Sequence, residues 1–353
     1  MASRALLETG RETRRRPEAA RTVATAVQPP RRRSVLAGPI VALFLVIVGL
    51  IATDAAEVPL RDPDHVAALY FVLVACSVVV MVLLDIAIRA GGPSREAMRR
   101  VRRERWTLAR CVAVGGGILG FYLSYAAYRN LKAIVPLLRP DTLFDRQLAN
   151  LDRDLFFGHD PAVLLHSLLG TGISAQILSS GYVVFIVFLP LSLALALVFA
   201  PNLRGGLFFA TALSANWLIG AGSYFLLPSL GPVYYDPGTF ASLPHSEVTH
   251  LQAVLMDQRV AFLAHPTTAT PQAIAAFASL HVSMSLTAAL AAHLLGLGRR
   301  MKIALWVWLA LTLLDTIYLG WHYVLDDFGG VAIAVLALAL ARALTGPISR
   351  VRA

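Results

Sequence analysis

Long apolar runs separated by short polar segments dominate the chain. They extend from about Val35 to Ala55, Val66 to Ile88, Thr107 to Leu138, Leu178 to Ala200 and Leu207 to Pro228. Three more follow: Ser279 to just before Gly298, Ile303 to Trp321, and Val324 to Leu344. Each approaches or exceeds the ~20 residues that a helix needs to cross a bilayer core. The pattern predicts an all-α polytopic membrane protein with about eight transmembrane helices. Two segments break the rhythm. From Asp141 to Ile177 apolar residues alternate with charges, as in Leu143-Phe144-Asp145 and Leu155-Phe156-Phe157-Gly158, which predicts amphipathic helices lying at the interface. Ser229 to Ala278 reads as a long polar connection.

Composition agrees, with 57% apolar residues, well above the share in soluble domains. The net charge of +10 does not point to nucleic acid, because most arginines sit in tails and short loops between apolar runs. Residues 1–34 are rich in Arg, Ala, Glu and Pro and bury too little apolar surface to fold, so a disordered cytoplasmic tail is expected there. Its length and the absence of a small-residue cleavage site argue against a cleavable signal peptide. Residues 35–106 then hold two extra N-terminal helices and a basic loop, and residues 107–347 form the membrane domain proper. With eight spans, the tail, the Arg89–Arg105 loop, Arg204, Arg299-Arg300-Lys302 and the C-terminus share one side. The positive-inside rule makes that side the cytoplasm, giving a multi-pass cell-membrane protein with both termini inside. Cys76 and Cys111 fall within apolar runs, which argues against a disulfide framework or thiolate zinc site.

The candidate chemistry lies at the other ends of the helices. In Tyr318-Leu319-Gly320-Trp321-His322-Tyr323-Val324-Leu325-Asp326, a carboxylate follows a histidine by four residues, so at helical pitch Asp326 can hold one ring nitrogen of His322. The other nitrogen is then free as base or nucleophile. A second cluster, Phe277-Ala278-Ser279-Leu280-His281, opens the sixth run. Lys132 and Arg139, at the end of the third run, reach the same side. Asp315 reads as a structural hydrogen-bonding group toward Tyr318 or a neighbouring helix, with a proton relay as the second reading. The remaining histidines, among them His159, His166, His245, His250 and His265, follow no metal-ligand spacing and read as loop residues.

Together the clusters resemble the type 2 phosphatidic acid phosphatase superfamily, and within it the branch of the inositol phosphorylceramide synthases. There the last box takes the form Tyr-x-x-x-His-Tyr-x-x-Asp-x-x-Gly-Gly, as Tyr318, His322, Tyr323, Asp326, Gly329 and Gly330 do here. The resemblance implies an integral-membrane lipid phosphatase or phosphotransferase, independent of metal and cofactor, that works through a phosphohistidine. His322 would attack phosphorus, Asp326 orient it, and His281 serve the leaving group and then the acceptor. Ser279 and the helix N-terminus would hold phosphate oxygens, and Lys132-x6-Arg139-Pro140 matches the family's first box as a phosphate clamp. Gly231-Pro232-Val233-Tyr234-Tyr235 matches a segment of the branch, where Tyr235 lines the headgroup pocket or forms a rigid aromatic turn; Arg259 is a spare cation in the same connection. Two positions depart from the family: Ala278 replaces a proline, implying a looser turn, and Asp315-Thr316 replaces Ser-Arg. The partner is a lipid phosphate or phospholipid, and the acceptor is water or an alcohol such as inositol. A transporter or scramblase that keeps the fold without the chemistry is the rival class.

Overall fold

The computed structural model describes residues 32–347 except Pro201 and Ala273. Among these the ordered elements are helices alone. They are α1 (Arg32–Ala55), α2 (Val66–Ala90), α3 (Arg95–Arg105), α4 (Leu108–Leu138), α5 (Asp145–Leu155), α6 (Pro161–Leu169) and α7 (Ile173–Phe199). Then come α8 (Leu203–Leu226), the single turns α9 (Pro232–Tyr235) and α10 (Pro237–Phe240), α11 (Glu247–Ala264), α12 (Leu280–Leu294), α13 (Arg299–Tyr318) and α14 (Val324–Thr345). Their starts carry the expected caps. Thr107 accepts from Arg110 N, Asp160 from Ala162 N with Pro161 at the first helical position, and Asn202 from Arg204 N.

Six helices, α1, α2, α4, α7, α13 and α14, are long and apolar enough to cross a membrane. The other two expected spans differ in kind. α12 has only 15 residues, about 22 Å at helical rise, and packs amid α8, α13 and α14. α8 has the length, but Thr211, Ser214, Asn216 and Ser223 interrupt its apolar sequence. Nearly all of it is buried, against α4, α14, α1 and α7. The polar groups therefore bond inside the bundle: Asn216 Nδ2 donates to Thr287 Oγ1 at 3.1 Å, and the Ser283 hydroxyl donates to Asn216 Oδ1.

The ends of the bundle are unlike. At one, Asp85 accepts from Arg89 Nε and Arg105 Nε, both at 2.7 Å, and from Trp106 Nε1 at 3.0 Å. Arg105 and Arg110 also donate to Val198 O at the end of α7, and Ser34 Oγ donates to Thr345 O. The arginine-rich stretch from Arg89 to Arg105 lies here, beside the end of α7. The opposite end is built from α5, α6, α9–α11 and the turns around them. The expected interfacial helices are α5 and α6, and α7 begins at Ile173, five residues before the expected start at Leu178. The connection from Ser229 to Ala278 is not simply polar chain, since it contains the 18-residue α11. The expected tail lies outside the described residues up to position 31, while Arg32–Ser34 already belong to α1.

Candidate active site

Two helix starts meet at this second end. α12 begins after Ser279, whose hydroxyl accepts from Val282 N, and places His281 in its first turn. α14 begins after Tyr323, with His322 in the preceding turn. The backbone joins the two directly, because Ser279 N donates to Asp326 O at 2.9 Å. Glycines permit the approach. A Cβ on Gly330 would lie 2.5 Å from Ser279 O, and one on Gly329 would lie 2.6 Å from the Ala278 Cβ. Ala278 does not loosen the turn before Ser279: its N–H, which proline would lack, donates to Ser223 Oγ at 3.1 Å.

The histidines face one another, His281 Nδ1 lying 2.9 Å from His322 Nε2. His322 Nδ1 is 3.3 Å from Asp326 Oδ2, and the same oxygen accepts from Tyr323 N at 2.9 Å. The i,i+4 pair thus forms for a reason other than shared helical pitch. α13 stops at Tyr318, Gly320 turns the chain at φ +73°, and Asp326, three residues beyond the cap, reaches back over the helix start. A carboxylate accepting at Nδ1 leaves Nε2 with its lone pair, so His281 Nδ1–H is the donor between the rings. Both His322 and Asp326 are buried. Burial first, and then the Lys132 ammonium, hold the His322 imidazole well below its ordinary value, hence neutral.

The pair opens on a cavity of about 220 Å³ that also contains Lys132, with Tyr128, Tyr182, Phe185, Trp217, Tyr224 and Trp321 forming much of the wall. Lys132 Nζ sits 5.7 Å from the centre of the Tyr224 ring, and the Tyr224 hydroxyl is 3.1 Å from that of Tyr128. The structure therefore brings His281, His322, Asp326, Ser279 and Lys132 together. It does not bring the other four. Arg139 and Arg259 line a separate, neighbouring chamber. Tyr235 stands exposed on α9 outside both spaces. Tyr318 is buried in another cluster, where its hydroxyl donates to Gly170 O and its carbonyl meets His166 Nε2 at 2.8 Å. The break in helix after Tyr318 separates its face from that of His322. Asp315, for its part, makes no hydrogen bond to Tyr318, and its Oδ1 has no partner among the described residues.

Two carboxylates on α5 complete the scaffold, and sequence reading missed both. Asp152 accepts from Val324 N at 2.8 Å and Leu325 N at 3.2 Å, capping α14 from outside. Burial raises its carboxyl to about 6, against the pull of those two N–H groups. Asp145 accepts from Leu230 N, Gly231 N and the Tyr323 hydroxyl at 2.9 to 3.0 Å. Gly231, at φ +105°, packs so closely on Trp321 O that a Cβ would lie 2.5 Å from it. The available signal was the Asp-x-x-Leu-Phe-x-Gly pattern at Asp152–Gly158.

The profile of the PAP2 superfamily matches residues 146–340, more than half of the chain. It spans α5 to α14 and so takes in both histidines and Asp326, while Lys132 and Arg139 lie before it. No curated protein and no solved structure gives a significant match.

Proposed function

Because the chain belongs to the PAP2 superfamily, whose members are typically phosphatases and phosphotransferases, we propose that it transfers the phosphoryl group of a membrane lipid through a phosphohistidine on His322. The observation that carries this reading is the chain of contacts His281–His322–Asp326 at a cavity lined by one ammonium group. Asp326 holds the Nδ1–H tautomer, so Nε2 is the attacking atom. As the N–P bond forms, the bond from phosphorus to the lipid oxygen breaks, and the proton on His281 Nδ1 goes to that oxygen. The acceptor hydroxyl then attacks phosphorus, its proton returns to His281, and His322 is released. Phosphorus does not fit in the 2.9 Å gap between the rings, so substrate entry parts them. Lys132 carries the charge of the equatorial oxygens, aided by the N–H groups at the start of α12.

Lys132 ties α4 to the site, which supports a catalytic unit beginning near residue 107, with α1 and α2 as an addition packed on α4. The clustering of arginine-rich turns at the far end supports a site that opens at the extracytoplasmic face of the cell membrane. The motif from Tyr318 to Gly330 supports an alcohol acceptor, with phosphoinositol-type transfer as the specific form. Purified protein in detergent should release phosphate from a lipid phosphate, or exchange a headgroup, with EDTA present. Absence of both reactions across phosphatidic acid, isoprenyl phosphate and phosphatidylinositol would refute the enzymatic reading.

A further inference from the structure

At the end of the bundle opposite the histidines, α3 joins α2 to α4 and carries an outward charge that no described residue pairs with. At roughly 100° per residue, Arg95, Arg99, Arg102 and Arg103 fall within about 100° of one another, with Arg100 beyond them. The opposite face holds Met98 and Val101, which pack against the core, and the buried Arg105. All five outward arginines are exposed, and among the described residues none forms an ion pair. Glu96 and Glu104 are the only carboxylates on the helix.

Behind the helix the balance is also positive. Asp85 is shared by Arg89 and Arg105. The buried Arg110 guanidinium lies 4.9 Å from the centre of the Trp106 ring and donates to Val198 O, while its Nε has no partner among the described residues. Depth decides what can meet the outward face. Arg105 and Trp106 return to Asp85, five residues short of the end of α2, so α3 lies beside that helix end instead of projecting from it. The helices it joins present apolar side chains here: Leu84 and Ile88 of α2, and Leu108 and Val112 of α4, are between 51% and 81% exposed. A basic face bordered by apolar side chains matches a molecule with an anionic head and acyl chains. An acidic protein or a nucleic acid would leave the apolar border in water.

We propose that α3 and the helix ends beside it form a binding site for anionic phospholipid, in which the arginines take the phosphate-bearing head and Ile88, Leu108 and Val112 meet the acyl chains. The site stands apart from the histidine cavity and does not depend on the phosphoryl-transfer reading.

Cys111, exposed near the start of α4, offers a local probe once Cys76 is replaced by Ser. The full chain, carrying a fluorescent dye on Cys111, is placed in phosphatidylcholine nanodiscs. Increasing fractions of either phosphatidylglycerol or phosphatidylcholine with brominated, quenching acyl chains are then included. Since each arginine beside an anionic lipid is worth about fivefold, half-quenching should need roughly tenfold less of the brominated phosphatidylglycerol. Arg95→Gln/Arg99→Gln/Arg103→Gln should lose most of that preference with an unchanged thermal melt, because the side chains removed are exposed and unpaired. Arg299→Gln/Arg300→Gln/Lys302→Gln, which removes equal charge from the start of α13, should keep it. No preference in the chain with native arginines, or equal loss in both variants, would overturn the site. Reversal of the quenching by soluble polyglutamate, at amounts equimolar with the lipid, would give the face to an acidic partner from solution and overturn it as well.

Discussion

At the scale of single residues the account turns on which atom holds which proton. Asp326→Asn keeps the size of the orienting group but offers an N–H where His322 needs an acceptor, favouring the wrong tautomer. Turnover should fall about 10³- to 10⁴-fold, as for other oriented histidines. His281→Ala should behave differently with a substrate whose leaving group needs no proton. Phosphoenzyme should then form at near-normal rate and persist, because discharge lacks its base. Rapid discharge in that variant would remove His281 from the second step. Gly330→Ala tests the contact between the two helix starts. With Ser279 O only 2.5 Å from the new Cβ, the helices must part. The cost should be about 1–3 kcal/mol in stability, read from a thermal melt, with a larger loss in activity.

At the scale of elements, α5 acts as a strap across the start of α14, and its effect should show in a pH profile. The Asp152 carboxyl, raised to about 6 by burial, is ionised above that pH and then caps Val324 N and Leu325 N fully. Because the folded state favours the protonated form, its contribution to stability falls as pH rises through about 6. Activity should move the opposite way, rising across the same window as the cap forms. Asp152→Asn can still accept from one N–H but cannot titrate, so kcat/KM should lose its acid limb near pH 6. Asp152→Ala should lose activity at every pH. An unchanged acid limb in Asp152→Asn would assign it to another group. How much of this was legible follows from range in sequence. His322 and Asp326 are four apart, and the apolar runs around them fix where the turn lies. Asp152 caps a helix more than 170 residues away, and a carboxylate in an amphipathic segment reads as solvent-exposed. α11 hid for a similar reason: polar and apolar residues alternate through Glu247–Ala264 without a helical stripe, and only Ser246 with Thr249 marks its start. Tyr318 matches the family's last box, but Gly320 turns the chain between it and His322, so nearness in sequence does not bring it to the cavity.

At the scale of the whole molecule, the bundle separates a basic end from the end that holds the two histidines, and α8 and α12 place polar groups in the core among six long apolar helices. The arginine distribution predicts that an accessible label at Ser246 reports the outside of intact cells and one at Arg99 the inside. Both on one side would contradict the arrangement. The α1–α2 loop belongs to the histidine end as well. Arg129 pairs with Asp62 and Asp64, and Arg61 reaches the carbonyls of Pro266, Thr267 and Ala269, just before Ile274 and Ala275 in the cavity wall. The proposed chemistry rests on one atom, His322 Nε2, which lies 2.9 Å from His281 Nδ1. Rapid-quench labelling with a phosphorus-labelled lipid tests that atom most directly. Wild-type protein should accumulate acid-labile, base-stable label on His322, and His322→Ala should show neither label nor turnover. Wild-type turnover in His322→Ala, or label confined to another residue, would contradict the account.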